Sequence, residues 1–298
     1  MNYTELKAEF KKIINENLGS DDFLNKKDFR PIRLRMKGQG LKFYQYRTPS
    51  ERSLNQIRNC ELSCTNPKMF NDVFEGMVKS KNDDKIEVRD VIEKAYNAVS
   101  IACFSETWWN QLMYAHYASS YTGICIEYDY DWMLDCIPDI GYFYPVIYQH
   151  SPSSLAKMRE LSTAIDVHIM GIEEKKLVFE KIDDLISYFV HKPYIWSYER
   201  EWRLIVPVSQ FHNFFTNESV DEMFHTIKNR FDCISAIYLA ANIEEAPKIK
   251  DKKYKDEIIE LIKEKNSTQK DPSKQIKVYQ THIIESSYKI GRKELKLK

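Results

Sequence analysis

The segment 196–206, Trp-Ser-Tyr-Glu-Arg-Glu-Trp-Arg-Leu-Ile-Val, constrains the fold more than any other part of the chain. Aromatic and β-branched residues crowd it and Pro207 ends it, a pattern that predicts a β-strand. Alternation along a strand puts Glu199, Glu201 and Arg203 on one face. The other face then receives Tyr198, Arg200, Trp202 and Leu204. Two carboxylates at i and i+2 repel each other, so Arg203, a cationic ligand or a developing cation must compensate them.

Length and charge narrow the class of protein. A chain of 298 residues forms one large domain or two modest ones. Lys plus Arg and Asp plus Glu are equal at 44 each, so the formal net charge is zero. The chain therefore has no overall positive charge for binding nucleic acid or a membrane surface, although this does not exclude a local basic patch.

Cysteine usage and hydropathy indicate a compartment. The six cysteines have apolar or strand-like neighbours and are expected to be buried thiols in a reducing environment. Cys60 and Cys64 are one residue too far apart for a CxxC pair, and no second pair completes a zinc site. The N-terminus has no apolar signal core, and no 18-residue apolar run occurs. We expect a soluble cytoplasmic protein without a membrane partner.

Strands and helices alternate without a regular βαβ period, which predicts an α+β fold with a mixed or antiparallel central sheet and flanking helices. Strands are predicted at 41–47, 61–64, 99–105, 123–130, 140–148, 234–240 and 274–284. Helices are predicted at 3–17, 51–59, 83–98, 110–119, 152–192 with a break near Gly171, 219–230 and 251–265. We assign 1–40 to an N-terminal helix and arm. A single α+β domain spans 41–298, with a motif core at 41–240 and a C-terminal extension.

Two polar positions near the start of the domain are candidates for ligand binding. Arg47 ends a predicted strand just before a turn, where a guanidinium can hold a phosphate bidentately or simply lie on the surface. Asn71 and Asp72 favour an Asx-turn that fastens a loop over a direct catalytic role. Asp72 and Glu75 lack a third ligand, so we predict no metal.

A second group of candidates lies between 105 and 117. Ser105 ends a predicted strand and could touch a ligand, but no Gly-x-Ser-x-Gly elbow surrounds it. Trp108 and Trp109 are expected to line a hydrophobic wall or pocket. His116 is interpreted slightly more readily as a core histidine than as an imidazole that faces a ligand beside Tyr117.

Five motifs follow one another as in a large, mostly bacterial family of unknown function, which the chain resembles over about residues 41–240. The motifs are Tyr44-Gln45-Tyr46-Arg47, Asn66 to Glu75, Cys103 to Glu106, Met113 to Ala118 with Gly123, and Trp196 to Arg203. The chain departs from the family pattern at Val73, where proline is usual, and at Tyr114, where tryptophan is usual.

The motif order also resembles that of ADP-ribosyltransferases, which implies an ADP-ribosyltransferase-like core and NAD as a substrate. By that resemblance Glu201 would stabilise an oxocarbenium-like centre and Glu199 would orient or deprotonate an acceptor. Arg47 would clamp the pyrophosphate. The remaining NAD-contacting candidates are Tyr46, Asn71, Ser105, Trp108, His116 and Tyr117, of which Tyr46, Trp108 and Tyr117 could stack on nicotinamide.

Two functions from different classes stay open. The first is an NAD-dependent transferase or glycohydrolase, a toxin or antiviral defence effector that modifies nucleic acid or protein and has an activator or antitoxin partner. The second is a non-catalytic sensor or interaction module, in which the acids and Arg203 form a structural ion network. A metal-dependent nuclease would need clustered acids and a lysine on neighbouring strands, a spacing that the sequence does not contain.

Overall fold

The computed structural model describes residues 3–19, 35–72, 78–80, 96–97, 99–136, 142–151, 153–155, 189–207, 224–227 and 232–297. The α-helices are α1 Tyr3–Gly19, α2 Glu51–Arg58, α3 Gln111–Tyr117, α4 Tyr130–Cys136 and α5 Tyr254–Thr268. The strands are β1 Lys42–Arg47, β2 Leu62–Thr65, β3 Val78–Ser80, β4 Val99–Ser105, β5 Ile124–Asp129, β6 Tyr142–Pro145, β7 Ile147–Gln149, β8 Ser153–Leu155, β9 His191–Pro193, β10 Glu201–Pro207, β11 Phe224–Ile227, β12 Ile234–Leu239, β13 Lys277–Ile284 and β14 Lys289–Glu294. Short 3-10 helices lie at Pro67–Met69, Tyr194–Glu199, Ile243–Glu245 and Pro272–Lys274.

Ten strands form one mixed sheet, and the helices flank it. The main path runs β11-β2-β4-β1-β5-β12-β13-β14, with β10 beside β4 and β6 beside β10. Every ladder in this sheet is antiparallel except that between β12 and β13. The predicted α+β class with a mixed, mostly antiparallel central sheet is confirmed.

The sheet divides along one edge of β4. Its other edge pairs with β10 from Val99 to Ser105. On the dividing edge, β1 meets β4 at the Tyr44–Ser105 pair, and β2 meets it at the Thr65–Ile101 pair. Because β1 and β2 approach opposite ends of β4, a gap opens between them, and a cleft occupies it.

Helices from both ends of the chain pack onto the sheet. Phe10 of α1 is fully buried and makes edge-to-face contacts with Tyr144 and Trp202, at ring-centroid distances of 5.9 and 5.6 Å. Ile258 and Ile262 of α5 join the same core cluster. The division of the chain at residue 40 stays a prediction.

Several predicted elements are wrong. The segment 196–206 is not one strand, because Tyr194–Glu199 is a 3-10 helix and β10 begins at Glu201. Residues 224–227, predicted helical, form β11 against β2. The predicted helix 152–192 contains β8 and most of β9 at its two ends, and its middle, like most of the predicted helix 83–98, lies outside the described residues. Helix α4 and strand β14 were not predicted.

Cysteine burial agrees with expectation for only part of the set. Cys64, Cys125 and Cys233 are buried, whereas Cys60, Cys103 and Cys136 are intermediate, and all six are free thiols. Among the described residues, no helix combines the length and apolar character that crossing a bilayer requires.

Candidate functional site

A cleft of about 210 Å³ lies where the sheet divides. Strand β1 and the paired strands β4 and β10 form its walls, with α3, β9 and the 3-10 helix Tyr194–Glu199 around them. Seven of the nine predicted site residues line it: Tyr46, Arg47, Asn71, Ser105, Tyr117, Glu199 and Glu201. The volume is below the roughly 300 Å³ at which small-molecule sites begin, so the cleft encloses only a small group.

The two acids converge by a route that strand alternation does not provide. Glu199 ends the 3-10 helix, and Arg200 after it takes a left-handed conformation with φ +46° and ψ +51°. This turn points the exposed Arg200 away from the core while its two neighbours are buried, with only 2% of Glu199 and 5% of Glu201 exposed. The predicted position of Arg200 on an apolar strand face is therefore wrong.

Lys192 joins the two acids. Its Nζ donates to Glu199 Oε2 at 2.6 Å and to Glu201 Oε2 at 3.2 Å, and it lies 5.1 Å from the ring centre of Trp196. Burial opposes the charge of Lys192, but the carboxylates of Glu201 and Glu199 outweigh it and raise its pKa. The ammonium therefore stays protonated and holds the acids together.

Arg203 is the second cation of this cluster, as the i, i+2 spacing predicts. It donates to both oxygens of Glu201, from Nε at 2.7 Å and from Nη2 at 3.1 Å. Its Nη1 donates to the Phe189 carbonyl at 2.5 Å. Burial lowers the pKa of Arg203, and the negative charge of Asp72 opposes that shift. This bidentate pair with a planar guanidinium fixes the orientation of the Glu201 carboxylate.

Glu199 titrates near neutrality. Burial is the main cause, the negative charge of Glu201 adds to it, and together they raise the pKa of Glu199 to about 7. Bonds from Lys192 and from the Tyr117 hydroxyl, which donates to Glu199 Oε1 at 2.6 Å, limit the rise. A carboxyl group with this pKa can both accept and release a proton at physiological pH.

Ser105 and Tyr46 position the wall of the cleft. Ser105 pairs directly with Glu201 across the β4–β10 ladder, and its Oγ donates to the Glu199 carbonyl at 2.7 Å. The Tyr46 hydroxyl donates to the Thr107 carbonyl at 2.7 Å, and its ring is buried. Both side chains are committed to protein partners, so they support the acids rather than offer a free group.

The partners of Arg47 among the described residues are uncharged. Its Nε donates to Gln56 Oε1 and its Nη2 to Gln45 Oε1, both at 2.9 Å. Within the described part of the chain, no carboxylate lies within ion-pair distance of it, so two neutral amides hold the guanidinium at the cleft wall. The register puts Tyr44, rather than Arg47, on the sheet face of Glu201. The guanidinium reaches the same cleft because β1 separates from β4 beyond Tyr44.

Two predicted ligand contacts lie away from the cleft. Trp108 stacks on Tyr238 at 4.9 Å and is covered by Arg292, outside the cleft lining. His116 is exposed on α3, 6.3 Å from the Tyr198 ring, so neither its interpretation as a core histidine nor that as a cleft ligand holds. Trp109 is 51% exposed and lines a separate groove. On α3, His116 is therefore on the exposed side, whereas its neighbour Tyr117 lines the cleft.

Position 123 requires glycine for a stronger reason than the turn that the sequence suggests. A Cβ at this position would lie 2.1 Å from the Arg47 carbonyl oxygen and 3.0 Å from that of Ala118. Only glycine allows the end of α3 and the end of β1 to approach this closely. Gly123 thereby fixes the backbone that carries Arg47.

The sequence interpretation missed Lys192 and Tyr148. Lys192 lies in a segment predicted to be helical, seven positions before Glu199, and carries no motif of its own. Tyr148 accepts a hydrogen bond from the Glu201 N–H at 2.8 Å. A signal for Lys192 did exist, because two buried acids beside one arginine require a second cation.

The described residues contain no group of three or more His, Cys, Asp or Glu side chains arranged to hold a metal ion. Residues 113–204 match the model of a family described as a protein of unknown function, DUF2971. This match covers the predicted Met113 to Ala118 and Trp196 to Arg203 motifs and leaves the three earlier ones outside it. No curated protein and no solved structure matches the chain.

Proposed function

We propose that the chain is an NAD-consuming enzyme of the ADP-ribosyltransferase type, or an NAD glycohydrolase, that acts from this cleft as a toxin or antiviral effector. One observation carries the proposal. Two buried acids, one of them the titratable Glu199, line the same cleft as Arg47, and no described carboxylate neutralises the charge of Arg47. Glycosidic bond cleavage needs carboxylates at a developing cation, and a dinucleotide needs a cation for its pyrophosphate.

In the proposed reaction the bond between ribose C1′ and the nicotinamide nitrogen breaks, and its electron pair leaves with nicotinamide. Glu201 stabilises the oxocarbenium-like ribose, and Arg203 holds its carboxylate in one orientation. The acceptor's nucleophilic atom bonds to C1′ and passes its proton to Glu199. Water in place of the acceptor gives hydrolysis. Arg47 would hold the pyrophosphate, whose other end extends beyond the 210 Å³ cleft.

Expression of the protein in a bacterial host tests the proposal at the level of the cell. Wild type is expected to slow growth and to deplete NAD, whereas Glu201→Gln, expressed at the same level, should do neither. Glu127→Gln is the matched control, because Glu127 is a part-buried strand carboxylate that accepts from Ser235 and Tyr238 outside the cleft. If Glu201→Gln is as toxic as wild type, the proposal is wrong.

A structural ion network is the second candidate, and one observation favours it. Glu201 is already neutralised by Arg203 and Lys192, both of them buried with it. Such a cluster can hold β9 and β10 together without any chemistry. In that case Glu201→Gln would lower the melting temperature strongly while wild type consumes no NAD in any host.

A further inference from the structure

A second groove, of about 350 Å³, opens next to the cleft on its outer side. Its lining consists of Thr107, Trp109, Asn110, Gln111, Leu112, Arg200 and Tyr288. Arg200 lies between the two cleft acids in the chain, and the Thr107 N–H donates to Ser105 Oγ at 3.3 Å. The groove and the cleft therefore share one thin wall made of the Ser105–Thr107 turn and the Glu199–Glu201 turn.

Large apolar side chains are exposed in this groove. Trp109 is 51% exposed, Leu112 46% and Tyr288 98%. Three large side chains that leave apolar surface in water at one place are typical of a binding site. Trp109 is held in place by Trp108, which meets it edge to face at 5.8 Å, and the Gln111 amide donates to the Tyr288 carbonyl. Trp108 thus supports the Trp109 ring, and Gln111 holds the backbone that carries Tyr288.

The charge of the groove has one sign. Arg200 is the only charged residue among its described lining, and the described residues offer its side chain neither a hydrogen bond nor an ion pair. Its positive φ projects it outward at a conformational cost that a non-glycine residue rarely bears. Lys289, also exposed, follows Tyr288 directly. The groove therefore complements an anion that carries a flat apolar group.

We propose that this groove binds the acceptor, an unpaired nucleobase of single-stranded nucleic acid, by stacking on Trp109 or Tyr288 and by pairing Arg200 with a flanking phosphate. Aromatic side chains beside an unpaired cation are how proteins bind single strands without reading their sequence. The assignment names the acceptor class for the proposed transferase and rests on that function, but binding itself needs no NAD.

Fluorescence anisotropy of a short labelled oligothymidylate, measured at low salt without NAD, tests the assignment. Wild type should bind, and Trp109→Ala and Arg200→Ala should each weaken binding by about fivefold or more. Raising the salt concentration should weaken wild type more than Arg200→Ala. Ile283→Ala and Lys263→Ala remove an exposed apolar and an exposed basic residue outside the groove lining, and should bind as wild type does.

Two results would overturn the assignment. The first is that wild type fails to bind the oligonucleotide, in which case the exposed rings would serve a protein partner. The second is that wild type and the two groove variants bind equally well. The binding assay contains no NAD, so its result is independent of a separate assay of NAD consumption. If the protein binds the oligonucleotide but consumes no NAD, the proposed chemistry is wrong and the groove assignment stands. NAD consumption without binding would do the reverse.

Discussion

Lys192 Nζ donates to Glu199 Oε2 across 2.6 Å, from strand β9 to the end of the following 3-10 helix. A second bond, from the same Nζ to Glu201 Oε2 at 3.2 Å, links the two acids that the left-handed turn at Arg200 brings to one cleft. The cluster of Lys192, Glu199, Glu201 and Arg203 is balanced in charge when Glu199 is ionised. We expect the stability of the fold around the cleft to depend on that balance.

Removing the ammonium should therefore destabilise the fold strongly. Lys192→Met leaves two buried carboxylates with one arginine, and a broken buried pair costs about 3–5 kcal/mol. Urea denaturation at neutral pH measures this loss. Lys255→Met is the control, because Lys255 pairs with the exposed Glu244 and such pairs are worth about 1 kcal/mol or less. Equal losses in the two variants would show that the cleft cluster is not a buried network.

Stability should fall as pH rises through the range in which Glu199 titrates. Its pKa is raised to about 7 in the folded protein, against an ordinary value of 4.5, so the folded state binds the proton more tightly than the unfolded state. Protonation of Glu199 therefore contributes to the free energy of unfolding at low pH. This contribution, on the order of 1–3 kcal/mol, is lost between about pH 4.5 and 7.

Glu199→Gln should remove the part of this pH-dependent loss of stability that Glu199 causes. Melting temperatures of wild type and Glu199→Gln, compared from pH 5 to pH 8, check it: the variant should gain relative to wild type as the pH increases. Glu127→Gln again serves as the control. A difference that stays constant across this pH range would mean that Glu199 keeps an ordinary pKa.

Arg47 should control binding of the ligand's phosphates. Arg47→Gln removes the charge while keeping an amide, and we expect ADP-ribose to bind about tenfold or more weakly, because a charge-assisted bond contributes about 1.5–3 kcal/mol. Isothermal titration calorimetry measures the dissociation constant. Arg58→Gln, which alters a half-exposed arginine paired with Glu51, is the control. Unchanged affinity in Arg47→Gln would remove the pyrophosphate role.

Gly123→Ala should disturb the same site through the backbone. Its Cβ would meet the Arg47 carbonyl oxygen at 2.1 Å, so either α3 or the end of β1 must move, at a cost of about 1–3 kcal/mol. We expect a lower melting temperature together with weaker ADP-ribose binding. Gly38→Ala also strains the backbone, because Gly38 has a φ of +76°, but its Cβ would meet nothing within 4 Å, so this control should leave that binding unchanged. Wild-type binding by Gly123→Ala would show that the close approach does not position Arg47.

The sequence predicts most of this fold where local patterns are strong. The strands ending at Arg47 and Ser105, and the helix predicted at 110–119, follow from residue patterns and flanking turns, and the structure adds that Asn110 caps the helix. The start of β10 could not be found this way. Glu199 and Glu201 look like strand neighbours, yet Arg200 adopts a left-handed turn that tertiary packing imposes.

The two acids and both arginines of the site, Arg47 and Arg203, were predictable from the sequence, whereas Lys192 was not. Glu199, Glu201, Arg47 and Tyr117 stand in recognisable motifs, and all line the cleft. Lys192 lies only seven positions before Glu199, but in a segment predicted to be helical, so the sequence pattern did not place its ammonium beside the acids. His116 and Trp108 lie near cleft residues in the sequence, but helix geometry and stacking on Tyr238 turn them elsewhere.

The most direct test is nicotinamide release by the purified protein, measured by chromatography with NAD and single-stranded nucleic acid present. We expect wild type to release nicotinamide, and Glu201→Gln to release it about 100-fold or more slowly while staying folded by circular dichroism. Equal release by the two proteins, or no release by a correctly folded wild type with nucleic acid or protein acceptors, would contradict NAD chemistry at this cleft.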